Sequence, residues 1–140
     1  MKQHQRGQAL IETILISLIL LVPLIWTLGV LADLHRAALA ATSAARDAGA
    51  EAVGARTALS VRQAIDRAIA RAFESHQLDP ELARVHTRSD PSLPRGSAVS
   101  IEIKFPVTVL QAPFLGRVSG PSIWVEARHV TRVPLFGSRR

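Results

Sequence analysis

The residue with the clearest chemical consequence is a glutamate, Glu12, which stands immediately ahead of a long stretch without charge. Thr13 to Ala32 is a run of twenty residues containing no Asp, Glu, Lys or Arg. A carboxylate carried into a bilayer by its helix costs about 2.5–3.5 kcal/mol when deep and less near the surface, and such groups usually pair. The neighbouring residues Gln8-Ala9-Leu10-Ile11 bring no basic group within a helical turn of Glu12. Two states satisfy the carboxylate: hydration in the headgroup zone, or a partner brought by another molecule. Cutting the chain after Gly7 would create such a partner. The new α-amino group would sit on Gln8, with Glu12 the fifth residue counted from it. That ammonium has the right charge and depth to pair with Glu12 of a neighbouring subunit.

Elsewhere the residue types that support catalysis do not converge. His4, His35, His76, His86 and His129 are far apart, and none has a second His or a carboxylate at the spacing of a zinc motif. All five are expected at the surface rather than on a metal. Gly49-Ala50-Glu51-Ala52-Val53-Gly54-Ala55-Arg56-Thr57 has a superficial likeness to a phosphate loop but lacks the Lys-Ser/Thr pair after the second glycine. There is no G-x-S-x-G sequence and no cysteine, so neither a nucleophile elbow nor a thiolate site is available. An enzyme is not expected, and no cofactor or metal is called for.

Composition agrees with a binding or assembly role. The chain has 140 residues, 48% of them apolar, and removing a membrane run and its leader leaves 108 positions to fold in water. That is small for a catalytic core. Seventeen Lys and Arg against eleven Asp and Glu give a net charge of +6. Arg36, Arg46, Arg56, Arg62, Arg67 and Arg71 are interleaved with Asp33, Asp47, Glu51 and Asp66, the pattern of a solvated helix face. No nucleic-acid partner is expected.

The element that must position Glu12 is a helix. At about 1.5 Å per residue, Thr13 to Ala32 makes a helix about 30 Å long, the hydrocarbon thickness of a bilayer. Lys2 and Arg6 precede it, which places the N-terminus in the cytoplasm and the chain from Asp33 onward outside. Pro23 removes a backbone donor and predicts a kink, with the carbonyl of Ile19 freed. Two other fates of the run stay open: a secretory signal cut near Val30-Leu31-Ala32, and a permanent uncleaved anchor.

Arg6-Gly7-Gln8-Ala9-Leu10-Ile11-Glu12, followed by a continuous apolar helix, resembles the class III signal of type IV prepilins. More narrowly, the seven-residue leader and the R-G-x-A-[LIV]-[LIV]-E wording are similar to the TadE-like pseudopilins, minor pilins of tight-adherence (Flp, type IVb) pilus systems. Thr13 stands where many members carry an aromatic. The resemblance implies that a prepilin peptidase of the bacterial inner membrane cuts between Gly7 and Gln8. It implies that Glu12 sets axial register against a neighbour's N-terminal amine. Further implied partners are other pilins or pseudopilins and pilus platform proteins. The implied location is the inner membrane, single-pass, with a cytoplasmic N-terminus and a periplasmic C-terminal domain, and incorporation into the pilus is open. The alternative from the residues alone is an uncleaved, membrane-anchored periplasmic binding module that meets cell wall or an anionic partner.

Beyond the membrane run, fifteen of the forty residues from Asp33 to Ala72 are alanine, so the helix is expected to continue as a stalk. Leu34, Ala38, Ala41, Ala45, Ala48, Ala52, Ala55 and Leu59 recur at steps of four and three, a seam of small side chains suited to close helix packing between subunits. Gly49 and Gly54 weaken that helix, and a break is predicted near Gly54–Ser60. Ser60-Val61-Arg62-Gln63 reads as a capping box for a second helix with an apolar face of Val61, Ile65, Ala68, Ile69, Ala72 and Phe73. Arg62 with Asp66 and Arg71 with Glu74 are expected ion pairs.

Pro80, Pro91, Pro94 and Gly96 mark loop from Leu78 to Ser97, with one helical turn after Asp79 and a short strand near Arg84–Arg88. Val99, Ile101, Ile103 and Phe105 then alternate with polar residues as a half-buried strand, and Pro106 predicts an edge or a bulge before Val107-Thr108-Val109-Leu110. Gly116, Gly120 and Pro121 mark the return. Ile123, Val125 and Ala127 form the inner positions of another strand. The expected fold class is α+β: a long N-terminal hydrophobic, Ala-rich helix, then an amphipathic helix packed on an antiparallel sheet of two or three strands. The expected division is a 1–7 leader, an 8–59 transmembrane and stalk helix, and a 60–140 periplasmic domain.

Overall fold

Helix-forming residues fill the first part of the chain almost without interruption, and in the computed structural model helix α1 runs Gln3–Gly54. The structure describes residues 3–55, 57–88, 96–109 and 120–134, with side chains from Gln8 onward and Ala58 by its backbone alone. The loop prolines Pro91 and Pro94, the strand end at Leu110 and the turn glycine Gly116 fall outside the described residues. The chain divides into two compact units, Met1–Asp33 and Leu34–Arg140, and α1 contributes to both.

In the first unit α1 continues through Pro23. Two threonine hydroxyls fold back onto carbonyls one turn earlier: Thr13 Oγ1 donates to Ala9 at 2.8 Å and Thr27 Oγ1 to Pro23 at 2.7 Å. Bonding of this kind hides the hydroxyls in an apolar setting. The side chains from Gln8 to Gly29 are exposed. By length and composition this helix can cross a membrane.

The second unit holds the hydrophobic core. Here α1 presents Ala37, Ala40, Ala41, Ala44, Ala45, Ala48 and Ala52, all buried, as a stripe at helical spacing. This corrects the seam expected between subunits. Ala41, Ala45, Ala48 and Ala52 are covered by the chain's own second unit, while Leu59 at the far end is 68% exposed.

Gly54 ends α1, and helix α2 spans Ala58–Ser75. Its capping box lies one turn earlier than Ser60–Gln63. Thr57 is the N-cap in extended conformation, Ser60 N–H donates to Thr57 Oγ1 at 3.2 Å, and Thr57 N–H donates to Ser60 Oγ at 2.9 Å. Ser60 thus takes the third helical position rather than the cap, because the β-branched Thr57 already suits an extended φ, ψ. The expected apolar face, with Ala64, is buried. Gln77, at φ 58°, closes the helix: Leu78 N–H reaches Phe73 C=O at 3.0 Å and Gln77 N–H reaches Glu74 C=O at 2.9 Å. This is the Schellman arrangement with a non-glycine in the left-handed position.

A 3-10 turn at Pro80–Leu82, capped by Asp79, leads into strand β1, Arg84–Arg88. Strands β2, Ala98–Thr108, and β3, Ser122–Arg132, complete an antiparallel sheet in the order β1-β2-β3. The molecule is therefore α+β, with a long N-terminal helix, a second helix and three strands. Val99, Ile101, Ile103, Phe105 and Val107 of β2 are buried beneath the helices, and Phe105 meets Phe73 of α2 at 5.0 Å between ring centroids. On β3, Val125 and Ala127 are half-buried as expected, but Ile123 at the strand's start is 46% exposed.

Pro106 causes no bulge, for the β2–β3 register is continuous from Ala98↔Arg132 to Thr108↔Ser122. β1 pairs with β2 only as far as Arg84↔Lys104, so the N–H that proline lacks would have faced a vacant side of the ladder. One close approach fixes helix against sheet. A Cβ added at Gly49 would stand 3.0 Å from His129 Cδ2 and 3.4 Å from Thr131 Cγ2.

Candidate functional site

Glu12 lies on α1 with an exposed side chain, and among the described residues it has no hydrogen-bond or ion-pair partner. The hydroxyl of adjacent Thr13 is turned to Ala9 and leaves the carboxylate alone. Gln8 is likewise exposed. Gly7 falls within the helical backbone, and its surroundings lie outside the described side chains, as do those of Arg6. The Gly7–Gln8 bond expected to be cut thus lies within the helical backbone, and Glu12 follows Gln8 by four residues, about one turn.

A second polar surface was not anticipated. The sheet face opposite the helices carries Glu102 and Lys104 of β2, Arg84, His86 and Arg88 of β1, and Trp124, Glu126, Arg128, Val130 and Arg132 of β3. Lys104 Nζ lies 3.0 Å from Glu102 and 3.3 Å from Glu126, bridging two carboxylates. The hydrogen bond from Lys104 lowers the Glu102 pKa from its ordinary value, and those to Glu102 and Glu126 raise that of Lys104. Arg84 stacks its guanidinium 4.6 Å from the Trp124 ring centroid, and Arg128 Nε donates to Ser100 Oγ at 3.2 Å. The signal for this surface was the alternation of Glu102, Lys104, Trp124, Glu126 and Arg128 at outward positions. It is legible as an exposed face, but the lateral pairing needed the register.

The other candidates disperse. Gly49 to Gly54 is helical, as the rejection of a phosphate loop requires. His35 and His86 are exposed, whereas His129 is half-buried beside Gly49 and is not the surface residue expected. Among the described residues no cluster of three His, Cys, Asp or Glu could hold a metal ion. Arg71 pairs with Glu51 of α1 instead of Glu74, and no Arg62–Asp66 ion pair forms among the described residues. An open groove of ≈ 460 Å³ between α1 and α2 is lined in part by Ser43, Asp47, Glu51, Arg71 and His76, with Glu51 paired to Arg71.

No protein-family model matches the chain, and no curated protein or solved structure matches it. The arrangement therefore has to be read from its own chemistry. Its two candidate features are an exposed carboxylate at the margin of an exposed apolar helix and a charged sheet face opposite the core.

Proposed function

We propose that this chain is a pseudopilin-like assembly component of a Flp (tight-adherence) pilus, processed by a prepilin peptidase between Gly7 and Gln8 and acting through helix association in the inner membrane. The observation that carries the reading is Glu12: an exposed carboxylate without a partner among the described residues, at the margin of a helix whose next twenty residues are uncharged. An unpaired carboxylate at that depth is costly and gains most from a cation supplied by a neighbour. The amine released on Gln8 is such a cation, and pairing it with Glu12 of the next subunit would fix the axial stagger of two helices. Other pilins or pseudopilins and platform proteins are the partners this mechanism requires. The C-terminal unit would then lie in the periplasm, with Lys2 and Arg6 retained on the cytoplasmic side.

The test is the intact mass of the protein extracted from membranes of its native host. A chain beginning at Gln8, methylated or not, is the expected result. A chain beginning at Met1 would sink the processing step, and one beginning at Asp33 would make the apolar run a secretory signal. The second reading, an uncleaved anchored binding module, draws on Arg84, Arg88, Arg128 and Arg132, which among the described residues share the open sheet face with two carboxylates, both held by Lys104. It predicts that Gly7 is replaceable without consequence.

A further inference from the structure

The two edges of the sheet differ in how much they leave open. β1 is short, five residues, whereas β3 is an edge strand of eleven residues with neither proline nor glycine. Natural sheets usually protect such an edge with a bulge, a proline, brevity or a covering element. β3 pairs residue for residue with β2 on one side. Among the described residues no backbone group bonds to its other side.

Which groups face that side follows from the ladder. Val109 N–H donates to Pro121 C=O at 3.1 Å, and Val133 N–H donates to Ser97 C=O at 2.9 Å, both continuing the β2–β3 register. In an antiparallel pair the residues that bond across the ladder alternate with those that do not. Odd-numbered residues of β3 therefore bond to β2, and the N–H and C=O groups of Trp124, Glu126, Arg128, Val130 and Arg132 face the open edge. The same five side chains stand on the sheet face opposite the helices. One row of residues thus offers both a backbone ladder and a side-chain pattern.

That pattern selects its complement. Glu126 is already held by Lys104. Among the described residues Arg128 bonds only the neutral hydroxyl of Ser100, and Arg132 has no carboxylate partner. Val130 between them is 51% exposed, and Trp124 is 45% exposed. A strand laid along β3 sets one side chain opposite each of these, where opposite charges and apolar pairs are favourable. Neither edge of a second copy supplies that complement: β1 carries Arg84 and Arg88 at its ends, and β3 has one carboxylate.

We propose that the open edge of β3 receives an extended strand of a partner protein, with two carboxylates set against Arg128 and Arg132 and an apolar side chain between them against Val130. Strand addition of this kind draws affinity from main-chain hydrogen bonds and selectivity from alternate side chains. The proposal uses only the Leu34–Arg140 unit and stands whether or not Glu12 sets register.

The test replaces Trp124 with the photo-cross-linking residue p-benzoylphenylalanine in the full-length chain, in membranes of the native host, and sequences the linked peptide. The expected product is a peptide of another protein with the order acidic–x–apolar–x–acidic. Two second-site variants are read in the same assay. Arg128→Glu opposes like charges. Val130→Pro removes an N–H that faces the open edge and serves no bond to β2, so the sheet tolerates it. Each should lower the cross-link yield about tenfold or more, while Arg62→Glu on exposed α2 should leave it unchanged. Linkage to lipid, to a second copy, to the chain's own 110–119 or 135–140 segments, or to a peptide lacking the two carboxylates overturns the proposal. So does an absence of linkage, or a yield indifferent to Arg128→Glu.

Discussion

Replacing Gly49 with alanine sets two effects of known sign against each other, and the helix–sheet contact decides between them. Within a helix, Gly to Ala is worth about 1 kcal/mol of stabilisation. At Gly49 the new methyl would stand 3.0 Å from His129 Cδ2 and 3.4 Å from Thr131 Cγ2, inside the optimal carbon separation of about 3.5–4.0 Å. Relieving such a contact in a packed interior costs about 1–3 kcal/mol. The His129 ring is half-buried and can yield somewhat, but Thr131 is fixed on β3. The expected net for Gly49→Ala lies between no change and a loss of about 2 kcal/mol, and Gly49→Val should lose about 3 kcal/mol. Gly54, with nothing within 4 Å of an added Cβ, is the control, and Gly54→Ala should gain up to about 1 kcal/mol. The chain has two tryptophans, so urea unfolding of the detergent-solubilised protein in a Trp26→Phe background isolates the fluorescence of Trp124 in the sheet. Combining Gly49→Ala with His129→Ala should return about 1 kcal/mol of coupling. If Gly49→Ala stabilises as much as Gly54→Ala, α1 does not pack on β3 at this distance and the placement is wrong.

Three further outcomes are expected. The proposed pilus role predicts that Glu12→Ala leaves membrane insertion intact and abolishes co-purification of other pilins; unchanged co-purification would remove Glu12 from that role. Gln77→Gly relieves a left-handed φ of 58° at the end of α2 and should raise stability by about 1 kcal/mol in the same urea assay. For the surface triad, the lowered Glu102 pKa stabilises the fold above the ordinary carboxylate value of 4.5, a contribution lost as pH falls through the folded pKa below it. The raised Lys104 pKa stabilises below 10.5, a contribution lost as pH rises through the folded pKa above it. Between those limits the contribution of Glu102 and Lys104 is flat, and Lys104→Met should return the Glu102 titration, followed by NMR, toward 4.5.

Much of the fold was legible because its signals are local. A strand at Arg84–Arg88, a helical turn after Asp79, the alternation from Val99 to Phe105 and the face from Val61 to Phe73 each arise from a period or a cap within a few residues. The errors lie where a distant element decides. Thr57 rather than Ser60 caps α2 because the cap is chosen by backbone conformation as well as by side-chain type. Arg71 turned from Glu74 to Glu51 because α1 passes beside α2, a neighbour that helical spacing cannot reveal. Gly49 read as a defect of propensity, yet it marks the point where α1 nears His129 and Thr131. The carboxylate at Glu12 was visible at once, since an isolated charge beside an apolar run is itself a sequence feature.

The burial of the alanine stripe takes it out of reach of a neighbouring helix. A seam of small residues from Leu34 to Leu59 suits close packing of neighbouring helices, but Ala41, Ala45, Ala48 and Ala52 are already covered by α2 and the sheet. A partner helix could reach them only by displacing that core, whose large members Phe73, Ile101 and Ile103 are fully buried. Unfolding a core costs more than a new alanine seam returns, because alanine buries little apolar area. Within the second unit, the exposed part of α1 instead presents Leu39, Thr42, Arg46 and Asp47, a mixed polar surface with one large apolar side chain. Within the first unit, Leu10 to Leu31 exposes an apolar side chain in every direction around the helix. The proposed helix–helix association would accordingly fall to the uncharged span with Glu12 at its margin, and the proposed recognition by the second unit to the strand edge and the charged sheet face.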